Sequence, residues 1–153
     1  YAHFTSPIRR YPDLVIHRLV KSHAGGAPVT TAEMQEFDAI ARHASEREVA
    51  AADAERDSVK MKQVEFLSGR IGETFDAVIS GVTERGLYVE EQTTHADGMI
   101  AVRDIGTDYF EYDEKRYRLV GKRTGKSYQL GDPIKVRLVA ARIAQKELDF
   151  VPG

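Results

Sequence analysis

The chain has 153 residues and a net charge of −2, with 22 Lys and Arg against 24 Asp and Glu. Bulk attraction to nucleic acid is therefore excluded, and any basic site must be local. A mean hydropathy of −0.41, with no apolar run near the ~20 residues of a membrane span, excludes a transmembrane helix; the lack of cysteine excludes disulfides, thiolate zinc sites and thiol catalysis, and fits a reducing compartment.

Residues 1–23 read as a loop running into a helix. Thr5-Ser6-Pro7 offers a cap and a helix-compatible proline. Tyr11, Leu14, Val15, Arg18 and Leu19 follow helical spacing, and Ile16 and Val20 add apolar surface on another side. Arg10, Asp13, His17 and Lys21 form a narrow polar stripe. A helix apolar on so many sides calls for a larger body to cover it. Within the stripe, Arg10 is expected to pair with Asp13 or with an acid upstream. Asp13 and His17, one turn apart, point to structural hydrogen bonds rather than metal ligation.

Gly25-Gly26-Ala27-Pro28 then breaks the chain. Thr30-Thr31-Ala32-Glu33 is a capping-box pattern opening a helix that ends near His43, with Met34, Phe37, Ile40 and Ala44 on its apolar face. Ser45-Glu46-Arg47-Glu48 is a second capping box. It predicts a separate helix to about Leu67, stopped by Gly69, with Ala52, Val59 and Phe66 on one face. The charges on this helix read as a solvated surface.

From Gly72 the period changes from helical to alternating. Strands are predicted at Thr74–Ser80, Gly86–Glu91, Gly98–Val102, Pro133–Val139 and Glu147–Val151, punctuated by glycines. Five short strands in so few residues suggest a β-barrel of OB type, giving an α+β fold class overall. Alternation places Tyr88 on the face opposite Leu87 and Val89. Lys115, Arg116, Arg118, Lys122, Arg123 and Lys126 form a basic run without an acid, interleaved with or flanked by Tyr112, Tyr117 and Tyr128. Cations mixed with aromatics suit single-stranded RNA. The alternative is a solvated hairpin neutralised by Asp108, Glu111, Asp113 and Glu114 just upstream. Gly121-Lys122-Arg123-Thr124-Gly125-Lys126-Ser127 is not a P-loop. Its glycines are one residue too close, and strand-like residues follow where a helix should begin.

Two stretches resemble known families. The order Gly72-Glu73 … Gly86-Leu87-Tyr88-Val89-Glu90 … Asp97-Gly98-Met99-Ile100 … Gly131-Asp132 … Val136 is similar to the S-one RNA-binding domain, an OB-fold module named after a ribosomal protein. That resemblance implies that Tyr88 stacks on bases. Arg85 stands where a second aromatic is common, and would itself stack on a base or pair with phosphate.

Tyr1-Ala2-His3-Phe4-Thr5-Ser6-Pro7-Ile8-Arg9-Arg10-Tyr11-Pro12-Asp13-Leu14-Val15-Ile16-His17-Arg18-Leu19 resembles the signature near the end of the catalytic RNB domain in the ribonuclease II and ribonuclease R family. An RNB end, helices and an S-one domain also follow one another in that family. The resemblance thus implies that 1–69 is the C-terminal helical part of an RNB domain, truncated by the start of the chain, and that 72–153 is the S-one domain. It further implies a cytoplasmic, monomeric parent enzyme that does not engage membranes. This parent hydrolyses RNA from the 3′ end to nucleoside 5′-monophosphates with two Mg²⁺ ions, whose aspartate ligands lie upstream of this sequence. Arg9 matches the arginine beside the scissile phosphate, where a planar guanidinium can donate two hydrogen bonds. Thr5, Ser6 and Arg10 are expected to contact the same strand. The fragment alone is expected to bind single-stranded RNA without cleaving it. The alternative is a stand-alone, non-catalytic OB-fold RNA-binding module.

Overall fold

The computed structural model describes residues 3–153, so the first two residues of the Tyr1–Leu19 motif lie outside the described residues. It divides into two units, 1–56 and 57–153, with the division falling inside one long helix.

In the first unit, α1 spans Tyr11–His23 and α2 starts at Thr31. The first helix does not begin at Thr5-Ser6-Pro7 as predicted. Those residues form a turn, and Pro12 occupies the first helical turn, where its missing N–H costs nothing. Of the residues of α1 only Asp13 is buried; Tyr11 and Val20 stay exposed. The capping box at the start of α2 is formed. Thr30 N and Oγ1 donate to Glu33 Oε2 at 2.8 and 2.7 Å, and Glu33 N donates back to Thr30 Oγ1 at 3.3 Å. The break predicted near Ser45 is absent, because α2 runs unbroken through Thr31–Ser68. No glycine or proline interrupts that stretch, so intrahelical hydrogen bonding outcompetes the local capping pattern.

The second unit is built on a closed barrel of β1 (Thr74–Thr83), β2 (Gly86–Glu91), β3 (Asp97–Ala101), β7 (Pro133–Arg142) and β8 (Glu147–Pro152), in the order β1-β2-β3-β8-β7. This is the OB-fold architecture predicted from the alternation, with all five predicted strands present. Antiparallel pairing runs around the barrel until β3 meets β8 in parallel, at Met99 opposite Asp149. Bulges near Gly81 and Ala140 bend the two long strands. The core holds Phe75, Ile79, Leu87, Val89, Ile100, Leu138, Leu148 and Phe150.

Val64 and Leu67 of α2 join that core and are fully buried, each contributing about 1.5–3 kcal/mol. The face expected from Val59 and Phe66 is instead 55% and 60% exposed. Gln63, one residue before Val64, donates to the carbonyls of Thr94 and His95 at 2.8 and 3.2 Å. A feature not predicted is a second sheet of β4 (Phe110–Asp113), β5 (Arg118–Gly121) and β6 (Ser127–Gln129), inserted between β3 and β7.

Gly98 sits beside the β3–β8 seam. A Cβ there would stand 2.3 Å from Phe150 Cε2 and 2.8 Å from the Leu148 carbonyl oxygen. Gly98→Ala is expected to cost about 1–3 kcal/mol in urea denaturation. Gly106→Ala, where nothing lies within 4 Å of the added atom, should leave stability unchanged. Equal midpoints for the two variants would contradict this account of the seam.

Candidate functional site

In the first unit the candidate residues lie on the loop before α1. Ser6-Pro7-Ile8-Arg9-Arg10 forms a turn in which the amides of Arg9 and Arg10 donate to the Ser6 carbonyl at 3.3 and 3.0 Å. Asp13, on the first turn of α1, reaches back across it. Its Oδ2 accepts from Ser6 N at 2.7 Å and from Arg10 Nη2 at 2.9 Å. Burial pushes the Asp13 carboxyl up, but the Ser6 amide, the Arg10 guanidinium and nearby His3 outweigh it and hold the group below its usual 3.8. One turn further on, His17 Nε2 donates to the Phe4 carbonyl at 2.8 Å; a carbonyl can only accept, which fixes the proton on that nitrogen. The His17 and Phe4 rings stack at 4.0 Å and 9°. Arg10–Asp13 pairing and the structural use of Asp13 and His17 are as predicted.

Arg9 is exposed, and its side chain makes no hydrogen bond or ion pair among the described residues. Thr5 is exposed and Ser6 half-buried, while the guanidinium of Arg10 is committed to Asp13. Arg9 and Arg10 line a cleft of about 710 Å³ with His3, Tyr11, Asp13 and, from α2, His43, Arg47 and Glu48. Of the α2 residues, Arg47 and Glu48 were read from sequence as part of a solvated face. Their approach to α1 is tertiary, and no local pattern announces it.

In the second unit, Tyr88 is 43% exposed on the barrel's outer face, between Gly81 on β1 and Met99 on β3. A Cβ on Gly81 would touch Tyr88 Cβ and Cδ2 at 3.4 Å, so the missing side chain lets the tyrosine lie close over β1. Arg85 is exposed in the β1–β2 turn.

The basic run spans the second sheet. Arg118 pairs with Asp113 at 3.0 Å, and Lys122 with Glu111 at 3.4 Å. Lys122 Nζ also lies 5.1 Å from the centre of the Tyr109 ring, and Lys126 Nζ 4.9 Å from that of Tyr128. Lys115, Arg116 and Arg123 are exposed and hold no ion pair among the described residues. The upstream acids therefore neutralise part of the run and leave these three cations available. Asp108 has a different task. Its carboxylate accepts from the amides of Tyr109, Arg123 and Thr124 and from the Thr124 hydroxyl at 2.6 Å, closing the β5–β6 turn. These bonds, led by the Thr124 hydroxyl, lower its pKa from 3.8 to about 2.

Among the described residues no three His, Asp or Glu side chains stand together as metal ligands. Asp13, the carboxylate nearest Arg9 in sequence, is already engaged by Ser6 and Arg10. The described residues do not fit a two-metal centre. Among the described residues no helix is long and apolar enough to cross a membrane.

Comparison with known proteins gives a consistent result. The family model for the RNB domain matches residues 1–26. Ribonuclease R of Thermotoga maritima is 44% identical over 156 residues, covering 99% of this chain and 22% of that protein. Ribonuclease R of Escherichia coli is 36% identical, covering 98% and 20%. The structure of Mycoplasma genitalium RNase R in complex with ribose methylated single-stranded RNA matches with a TM-score of 0.86 at 31% identity, covering 100% of this chain and 24% of that one. The chain thus spans about one fifth of the length of these relatives.

Asp108 yields a pH prediction. Its folded pKa lies below the unfolded value, so its stabilising effect is full above 3.8 and fades as pH falls through about 2. The Arg123 and Thr124 amide resonances should move with that lower midpoint, and Asp108→Asn should speed their exchange with solvent at neutral pH. A midpoint at 3.8, or unchanged exchange in the variant, would contradict the closed turn.

Proposed function

Because the chain is related by sequence to the ribonuclease R family over nearly its whole length, we propose that it is the C-terminal part of a hydrolytic 3′-to-5′ exoribonuclease. This enzyme degrades RNA to nucleoside 5′-monophosphates. Residues 1–69 complete its RNB domain and 72–153 form its S-one type RNA-binding domain. The observation that carries the reading is the Ser6–Arg10 turn: it lies in the stretch that matches the RNB family, and it leaves the Arg9 guanidinium exposed without a partner among the described residues.

The reaction would be divided between this chain and the rest of the enzyme. Aspartates outside this chain would hold Mg²⁺, which would supply the chemistry of water activation and of charge stabilisation at the leaving oxygen. This chain's contribution is Arg9, whose planar fork donates to the oxygens of the scissile phosphate. Thr5, Ser6 and Arg10 flank it along the strand. Tyr88 stacks on a base, while Arg85, Lys115, Arg116 and Arg123 hold backbone phosphates, with Arg118, Lys122 and Lys126 of the same run alongside. The enzyme acts as a cytoplasmic monomer on single-stranded RNA.

A second reading is a non-catalytic RNA-binding module, favoured by the lack of a metal-ligand trio among the described residues. The coding sequence upstream of Tyr1 separates the two: an aspartate cluster is expected there, and its absence would leave only the module.

The isolated chain is expected to release no mononucleotides from labelled RNA with Mg²⁺. It should still bind single-stranded RNA. With three or four phosphates neutralised, log K should fall against log salt with a slope of roughly −2 to −3. Tyr88→Ala should weaken binding by about 1–3 kcal/mol. A flat salt response, or unchanged binding in Tyr88→Ala, would remove this face from RNA capture. In the longer enzyme, Arg9→Ala is expected to slow single-turnover cleavage by about 10²–10³ while RNA affinity changes little, because a contact that strengthens with developing charge acts on rate. Arg9→Lys should recover only part of the rate, since an ammonium lacks the two-pronged geometry. Unchanged cleavage in Arg9→Ala would take Arg9 out of the active site.

A further inference from the structure

We infer that Asp13 and His17 are positioning residues for Arg9, a two-point clamp that sets where its guanidinium can reach. The inference rests on the reading of Arg9 as a phosphate contact. Beyond the turn's own backbone bonds to the Ser6 carbonyl, the loop carrying Arg9 is tied down by side chains of α1. There are two, from successive turns. Asp13 Oδ2 ties the Ser6 amide and the Arg10 guanidinium to one oxygen, so both ends of the turn that contains Arg9 are fixed to a single point. His17 ties the Phe4 carbonyl at 2.8 Å and stacks its ring on that of Phe4 at 4.0 Å, fixing the entry to the same turn. Neither residue needs to touch substrate.

The arrangement divides labour between neighbours. Arg10 is spent on Asp13, whereas Arg9 has a fixed backbone and a head group unpaired among the described residues. A guanidinium so placed meets a phosphate without first breaking an internal ion pair. Positioning matters because a displacement of about 1 Å at a reacting contact can cost up to about 10²-fold in rate. Loosening either point of the clamp should therefore lower turnover through Arg9 and leave RNA capture, spread over many phosphate contacts, nearly intact.

The test uses the longer exoribonuclease that carries this segment, with RNA affinity and circular dichroism measured beside single-turnover cleavage. His17→Ala is expected to slow cleavage by about 10- to 100-fold at unchanged RNA affinity. His17→Gln, whose amide N–H can reach the same carbonyl, should recover most of the loss. Asp13→Asn keeps the shape but not the charge, and supplies a second variant should His17→Ala not fold; it should also slow cleavage. The decisive arm is the double variant. In an Arg9→Ala background, adding His17→Ala or Asp13→Asn should cause no further slowing, because groups acting through one residue are not additive with its loss. Full-rate cleavage in both single variants, or additive losses in the Arg9→Ala background, would overturn the clamp while leaving Arg9 as a phosphate contact. Full-rate cleavage in Arg9→Ala itself would instead remove the reading on which the clamp rests.

Discussion

A carboxylate with no exposed side-chain surface, Asp13, is the constraint on which the Arg9 loop depends. Placing a charge where water cannot reach it is unfavourable unless it is paired and hydrogen-bonded. Here the charge is met by a main-chain amide seven residues upstream and by the guanidinium three residues upstream. The loop has to adopt the course that brings Ser6 and Arg10 to Asp13, because any other would leave the carboxylate uncompensated. The pair is not saturated, since Asp13 Oδ1 and Arg10 Nε have no hydrogen-bond partner among the described residues. Oδ2 alone therefore holds both contacts, which makes the geometry sensitive to a single atom.

The same device recurs in the second unit. Glu91, at the end of β2, is 1% exposed and accepts from Thr93 N, Thr94 N and Thr94 Oγ1 at 2.8, 2.7 and 2.6 Å. Burial pushes its carboxyl up, yet these donors hold it below 4.5. The turn so fixed carries Thr94 and His95, whose carbonyls accept from Gln63 on the last part of α2. Asp108 does the same for the β5–β6 turn. Each carboxylate substitutes for the regular hydrogen bonding that a loop lacks, and each makes the bonds of its loop sensitive to acid pH. All three have depressed pKa values, so their stabilising effect is present above the ordinary carboxylate value and is lost as pH falls below it.

The sequence makes the barrel readable because its alternation is carried by the residues that fill the core. Leu87 and Val89 are fully buried while Tyr88 between them is not. Where local and tertiary signals compete, reading is harder. Ser45-Glu46-Arg47-Glu48 has the chemistry of a cap but sits in a run of good helix formers, and the helix passes through it. The core-facing side of α2 is set by Val64 and Leu67, a spacing of three that the heptad-like Ala52, Val59, Phe66 series obscures. The β4–β6 sheet has strands of only three or four residues, too short for a periodic signal. At the candidate site, Arg10–Asp13 is legible as a contact within one helical turn, whereas the bonds from Ser6 to Asp13 and from Thr124 to Asp108 span seven residues, across a turn into α1, and sixteen residues, across β4 and β5.

The claim that a charged Asp13 holds the Arg9 loop can be tested on the chain as it stands. The measurement is a carbon-detected nuclear magnetic resonance titration of the Asp13 carboxyl, with the Ser6 amide followed in the same samples. The account predicts a midpoint below 3.8 and a Ser6 amide shift that moves with it, since that amide loses its ionised acceptor as the carboxyl is protonated. A midpoint at or above 3.8, or a Ser6 amide indifferent to the titration, would contradict it.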